Sequence, residues 1–278
     1  MEIIGDFTEV VELQKYMNFS KFMGLLDTKK IFLSKASGFE DKTEGGLSLT
    51  FKMINSGDAM LIDIAMNISW PTAHTLSQEE VEAKNKEEED AFLLYENRHF
   101  DTVFGEFSAK EISYDEINNQ YKEWIDVSCW HANKYESMAM WKIYGENEGA
   151  VCIITDIDRI KESITPIENY NLIIAKINYI SLPNEEFTTQ HKLAPFMHKS
   201  RFYDYEHEVR LIGYDSSCPF RDKRETPGTM LEVNTNNLIK EIRVSPYASN
   251  WFFDLITSVC KKYDLNTEVI RSKMHGTV

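Results

Sequence analysis

No stretch of the 278 residues approaches the 18 or so consecutive apolar positions that a membrane-crossing helix needs. The first residues, Met1 to Asp6, lack the basic start and apolar run of a secretory signal. Cysteine is sparse: Cys129, Cys152, Cys218 and Cys260 are scattered and none sits at CxxC spacing. His131 is an isolated neighbour of Cys129, and the seven histidines form no ligand-spaced pair, so no metal site is expected. Thiols of this kind are expected to be reduced and mostly buried, in a cytoplasmic setting. Positive charge is short as well, with 30 Lys and Arg against 45 Asp and Glu, a formal net charge of −15. Such a field keeps a protein soluble and repels phosphate backbones, which argues against broad nucleic-acid binding but leaves room for a local basic pocket holding one nucleotide. The chain also has no GxGxxG, GxxxxGK[ST], GxSxG or HExxH pattern, so dinucleotide-fold, P-loop, α/β-hydrolase and zincin readings lose their usual support. It has no Pro/Gly/Ser-rich linker and no internal repeat.

The chain does have core-forming material: 42% of residues are hydrophobic and 12% aromatic, enough to fill one large domain. Strands are predicted at Leu13 to Met17, Ile31 to Ser34, Val127 to Cys129, Ala150 to Thr155, Ile173 to Ile180, Tyr205 to Tyr214, Met230 to Val233, Glu241 to Val244 and Thr267 to Ile270. Strict alternation predicts a hairpin over residues 47–69, turning at Asn55-Ser56-Gly57-Asp58. Ser20 is expected to cap a short helix, and Ser249 a final one. Ser77 with Glu80, and Ser113 with Glu116, form capping boxes, each opening a helix. Clustered strands outnumbering helices imply an α+β fold with a mixed, mostly antiparallel sheet flanked by helices. The simplest organisation is a single domain over 1–278, its core at 1–69 and 126–278 and a helical insertion at about 70–125.

Three segments carry candidate chemistry. In Glu136 to Gly145, Trp141 and Tyr144 share a helical face with Ser137 and Met140, and can line a flat pocket for a planar ring or simply fill core. In Lys199 to Leu211, a strand would put Glu206, Glu208 and Arg210 on one face. Two carboxylates and a guanidinium are costly to bury unpaired, so they face a wet cleft or form an ion-paired network. In Phe32 to Asp41, followed by Glu44, the small residues Ser34, Ser37 and Gly38 let backbone amides approach a phosphate or ribose, or make an ordinary turn.

In this order, the segments resemble a large family of bacterial and phage proteins, domain-of-unknown-function family 2971. The resemblance rests on Lys15-Tyr16, Phe22 to Leu26, Phe32 to Glu44, Ser128 to Trp130, Met140-Trp141, Gly149 to Ile153, Lys199, Phe202, Glu206, Glu208, Arg210, and Pro246 before Trp251. The order of elements is also similar to ADP-ribosyltransferases that modify DNA or act as toxins. That similarity implies Lys15 or Tyr16 at the first site position, Ser34 or Ser37 at the second, and Glu206 or Glu208 as the catalytic carboxylate. It implies NAD as substrate, nicotinamide held against Trp141 or Tyr144, Lys199 and Arg210 as further ligand-binding residues, and no metal. A nucleotide is then the small-molecule partner, a protein or nucleic acid the acceptor, and phage defence or toxicity the setting. The alternative is a non-catalytic module that senses a nucleotide or docks a protein. The first strand has no histidine or arginine, and Met17 stands where arginine is frequent, which favours the module; the paired glutamates favour the enzyme.

Overall fold

The computed structural model describes residues 1–10, 12–39, 44–45, 77–97, 99–145, 147–181, 185, 187, 191–219 and 221–276. The hairpin predicted over 47–69 lies outside the described residues, as do Glu40 and Asp41.

In chain order the elements are β1 (Glu2–Ile4), β2 (Leu13–Asn18), α1 (Phe19–Thr28), β3 (Lys30–Lys35), α2 (Gln78–Glu96), β4 (His99–Thr102), β5 (Gly105–Ser108), α3 (Tyr114–Trp124), β6 (Ile125–Ala132), α4 (Met138–Tyr144) and β7 (Ala150–Thr155). They continue with α5 (Ile157–Ser163), β8 (Tyr170–Lys176), β9 (Asn178–Ile180), β10 (His198–Ser200), β11 (Glu208–Asp215), β12 (Gly228–Glu232), α6 (Thr235–Leu238), β13 (Glu241–Val244), α7 (Asn250–Lys262) and β14 (Glu268–Arg271). The main sheet runs β1-β8-β11-β6-β2-β7-β13-β14, with β3 on β6 and β12 on β3. Its pairs are antiparallel except β1 with β8 and β13 with β14, so the fold is α+β on a mixed, mostly antiparallel sheet.

Both faces of the sheet are covered. On one, Leu13, Met17, Trp130, Ile153, Val209 and Leu211 pack under Phe22, Leu25 and Leu26 of α1 and Phe252 and Ile256 of α7. On the other, Ile125, Val127, Ile173 and Ile212 lie under Tyr114, Ile117 and Tyr121 of α3 and under Phe196 and Met197. A separate cluster on that side joins Tyr16, Met140, Trp141, Cys152 and Ile154. Central strands buried on both sides need apolar residues at both parities, which Ala150 to Thr155 and Leu211-Ile212 supply.

The topology contains one fork. The N-terminal half of β6 pairs with β3 (Ser34 opposite Val127, Lys35 opposite Asp126), and its C-terminal end pairs with β2 (Leu13 opposite Ala132, Gln14 opposite His131). Among the described residues no strand pairs with residues 128–130 on that edge, so β2 and β3 diverge there as the arms of a fork.

Several expectations need correcting. The cap of α1 is Asn18, whose side chain accepts from the Lys21 amide, and Ser20 lies inside the first turn. The strand predicted over Tyr205 to Tyr214 starts only at Glu208, because Arg201–Glu206 forms 3-10 turns ending in a left-handed His207. The segment expected as a helical insertion at about 70–125 also holds the β4–β5 hairpin, and its α3 forms core on the sheet. Both capping boxes are present, with Glu80 and Glu116 reaching back to the Ser77 and Ser113 amides. No described helix is long and apolar enough to cross a membrane.

Candidate functional site

β6 is exposed at one position: Cys129 is open while Ile125 to Ser128, Trp130 and His131 are buried and the terminal Ala132 is half-buried. An opening in mid-sheet is unusual, and it coincides with the fork. Lys15 reaches into it from β2, its Nζ donating to Ser128 Oγ at 2.8 Å and to the Cys129 carbonyl at 3.0 Å, 4.9 Å from the Trp130 ring centre. Dense surrounding protein pulls the Lys15 amine down to about 8, with Cys129 and Glu208 working against that fall. Ser34 is half-buried on the β3 arm, and Ser37 is exposed on the short 3-10 turn that follows.

Across β6 lies a cluster of charges. Arg210 sits directly opposite Cys129, and Glu208 opposite His131. The Arg210 guanidinium bonds both oxygens of Glu208, at 2.8 and 3.1 Å, donates to the Phe196 carbonyl at 2.9 Å, and pairs closely with Glu44. Lys199, on β10, places its Nζ 2.7 Å from Glu206, 3.3 Å from Glu208 and 3.8 Å from Glu44, over the Tyr203 ring. The Tyr144 hydroxyl donates to the other oxygen of Glu206 at 3.1 Å. All five charged side chains are buried, Arg210 completely. Three carboxylates against two cations leave one net negative charge beside the fork, and Lys15 is the cation across from it.

The electrostatics follow from this packing. Burial alone would raise the Glu208 carboxyl; the Arg210 charge and hydrogen bonds, with Lys199 and the Cys129 thiol, reverse that and hold it at about 2. Burial alone would lower Lys199; Glu208, Glu44 and Glu206 reverse that and hold it above its ordinary value. Cys129 is exposed, yet desolvation by the protein around its thiol, and then Glu208, push it well above the usual thiol range, so it stays protonated.

The glutamates, Lys199 and Arg210 therefore converge as a network, though not as one strand face. Glu206 stands on the 3-10 turn, and the left-handed backbone at His207 (φ 39°, ψ 54°) swings it toward the same ammonium that Glu208 meets from β11. Lys199 touches both carboxylates, so each has a cation beside it. Tyr144 is 42% exposed beside Glu206, but Trp141 is fully buried, its indole N–H bonded to Glu136 at 3.0 Å. Tyr16 packs edge-on against Trp141 and is buried too, its hydroxyl donating to Gln14 at 2.6 Å. Of the two rings that share the α4 face, the structure puts Trp141 in the core and leaves Tyr144 partly exposed. The sequence pattern puts Glu44 beside a turn and Cys129 among buried thiols, and no local signal marks either as part of this site. Among the described residues no group of His, Cys, Asp and Glu is arranged to hold a metal ion. A second recess, at Asp156, Asp158, Arg159, Glu162 and Asn237, is open and largely acidic and lacks a comparable network.

No family model matches the chain, and no curated protein matches it. Among solved structures the chain is similar to DarT of Thermus sp. 2.9, solved in complex with ADP-ribosylated ssDNA, at 9% identity and a TM-score of 0.38 over 98% of each chain. A likeness at that level leaves the site to be read from its own geometry.

Proposed function

We propose that the opening over Cys129 receives a nucleotide of the NAD type, and that the protein is an ADP-ribosyltransferase-like enzyme that breaks the bond between nicotinamide and ribose. The observation that carries this is the one exposed position of β6, Cys129, flanked by the half-buried Lys15 on one side and by Glu206 with the half-exposed Tyr144 on the other. In this reading Lys15, still largely protonated near neutral pH, meets a phosphate oxygen. Glu206 faces the ribose, where positive charge develops as nicotinamide leaves with the bonding electron pair; a fixed carboxylate stabilises that charge. Water or an acceptor group then adds at the same carbon and releases its proton to solvent. The Tyr144 ring flanks the departing nicotinamide, and Ser34 and Ser37 line the β3 arm. Glu208, held by Arg210 and Lys199, fixes the negative side of the site without itself meeting ligand. A protein or nucleic acid is the acceptor, and the resemblance to phage-associated proteins gives the reaction a defence or toxin setting.

A second reading has its own support. Both glutamates are already ion-paired with Lys199, as suits a module that senses a nucleotide without cleaving it. One experiment separates the two. Purified protein is incubated with NAD, free nicotinamide is quantified, and alkylation of Cys129 is followed with and without NAD at alkaline pH. Release together with protection of Cys129 supports the enzyme. Protection without release supports the sensing module. Neither protection nor release sinks both.

A further inference from the structure

We propose that His131 is the positioning residue of this site: its imidazole clamps the turn that carries Glu206 and leads through His207 into Glu208, and so sets where the two carboxylates stand. The proposal rests on the nucleotide-cleaving reading only for its effect on turnover; the clamp itself is a matter of geometry.

His131 is 1% exposed on β6, and its Nδ1 lies 2.5 Å from the main-chain oxygen of Glu206. A carbonyl only accepts, so Nδ1 carries the proton and Nε2 keeps a bare lone pair. That Nε2 is buried and has no hydrogen-bond partner among the described residues. A side chain needed only for bulk has no reason to bury an unsatisfied nitrogen, since an apolar one fills the same space without that cost. The next residue adds a second stitch, the Ala132 amide donating to the His207 oxygen at 2.8 Å, and His131 is itself the cross-strand partner of Glu208. Two consecutive residues of β6 thus bond the carbonyls of Glu206 and His207, and Glu208 follows them into β11 opposite His131.

The turn needs holding. His207 adopts a left-handed conformation with φ 39° and ψ 54°, where a residue with a Cβ is strained, and such strain persists only where the surroundings over-determine it. Without the kink, Glu206 would continue the strand and leave Lys199 and Tyr144. The two groups that face the His131 ring edge-on or tilted, Tyr16 at 6.1 Å and His207 at 5.8 Å, fix its plane.

The test compares two variants. His131→Asn keeps an N–H at the Nδ1 position, whereas His131→Leu keeps volume and removes the donor. The first readout is independent of NAD: the pH profile of Cys129 alkylation, which the surrounding protein and then Glu208 shift upward. In folded His131→Leu the profile moves toward that of an ordinary thiol, and kcat for nicotinamide release falls about hundredfold at unchanged KM, as for a displaced reacting group. His131→Asn restores both. Wild-type profile and turnover in the leucine variant, or an asparagine variant as impaired as leucine, would overturn the proposal. Should the leucine variant not fold, His131→Gln, whose amide reaches the Nε2 position instead, replaces it with the same expected contrast to asparagine. If the wild-type protein releases no nicotinamide, the thiol profile alone decides, and the clamp stands or falls apart from the reaction.

Discussion

Glu206 and Glu208 share one lysine, yet their surroundings assign them different work. Glu208 is enclosed by Arg210, Lys199 and the Cys129 thiol, while Glu206 divides its oxygens between Lys199 and the half-exposed Tyr144. Replacing Glu208 by glutamine leaves Arg210 and Lys199 short of a buried counter-charge, a change that costs about 3–5 kcal/mol. At roughly 2–4 °C per kcal/mol for a chain of this size, a melting temperature lower by on the order of 10 °C is expected. Glu206→Gln keeps an acceptor for Tyr144 and loses one arm of a shared pair, so its melting temperature moves by only a few degrees. Its nicotinamide release, in contrast, falls about 10²–10³-fold. Calorimetry and a nicotinamide assay on both variants check this; equal loss of stability with equal turnover would leave only a structural network. Much of this site was legible in the sequence, because Lys199, Glu206, Glu208 and Arg210 fall within one short segment and their charges demand partners. Glu44 was not legible: its partner Arg210 is 166 residues away, and nothing local distinguishes it from a turn carboxylate. Trp141 was legible only as an alternative, since a helical face of aromatics looks the same whether it meets ligand or core.

At the scale of elements, strands and caps were read more reliably than their junctions. Alternation and β-branched runs found β7, β11 and β13, but the 3-10 turn over Arg201–Glu206 has the same aromatic and charged composition as an edge strand. Only the non-local clamp from β6 decides it. The fork was invisible for the same reason: pairing of β6 first with β3 and then with β2 is a property of three distant segments. Capping boxes depend on four residues and were found directly, and their energetic weight differs with packing. Ser113 opens α3, whose Ile117 and Tyr121 are buried on the sheet, whereas the described residues of α2 behind Ser77 are exposed. Ser113→Ala is therefore expected to lower global stability by about 1 kcal/mol. Ser77→Ala is expected to reduce helix content by circular dichroism without moving the main transition, because a cap counts toward global stability only when its helix melts with the core. A Ser77→Ala variant as destabilised as Ser113→Ala would show that α2 is part of the cooperative core.

For the whole molecule, the mixed sheet covered on both faces was legible from the spacing of apolar segments, and it links folding to pH through groups that the sheet buries. His131 and His198 are lowered from their ordinary value first of all by burial, partly offset by their bonds to the Glu206 and Ala194 carbonyls, with His207 adding to the fall at His131. Glu208 is held at about 2, below its ordinary 4.5. In all three the native value lies below the unfolded one, so the unfolded chain binds more protons and stability falls as pH falls. The histidines act first, as pH drops below about 6.5. Glu208 acts as pH drops from its ordinary value toward about 2, and its full contribution is on the order of 3 kcal/mol. The formal charge of −15 works in the opposite direction, because protonating surface carboxylates relieves self-repulsion. Urea unfolding across the pH range therefore reads a sum, and Glu208→Gln isolates one part of it. The gap in stability between the native protein and this variant is expected to be constant from neutral pH to about 5, and to close as the carboxyl protonates toward about 2. A gap that stays constant to the acid limit would mean that Glu208 is not held ionised by Arg210 and Lys199, and the charge network would lose its physical basis.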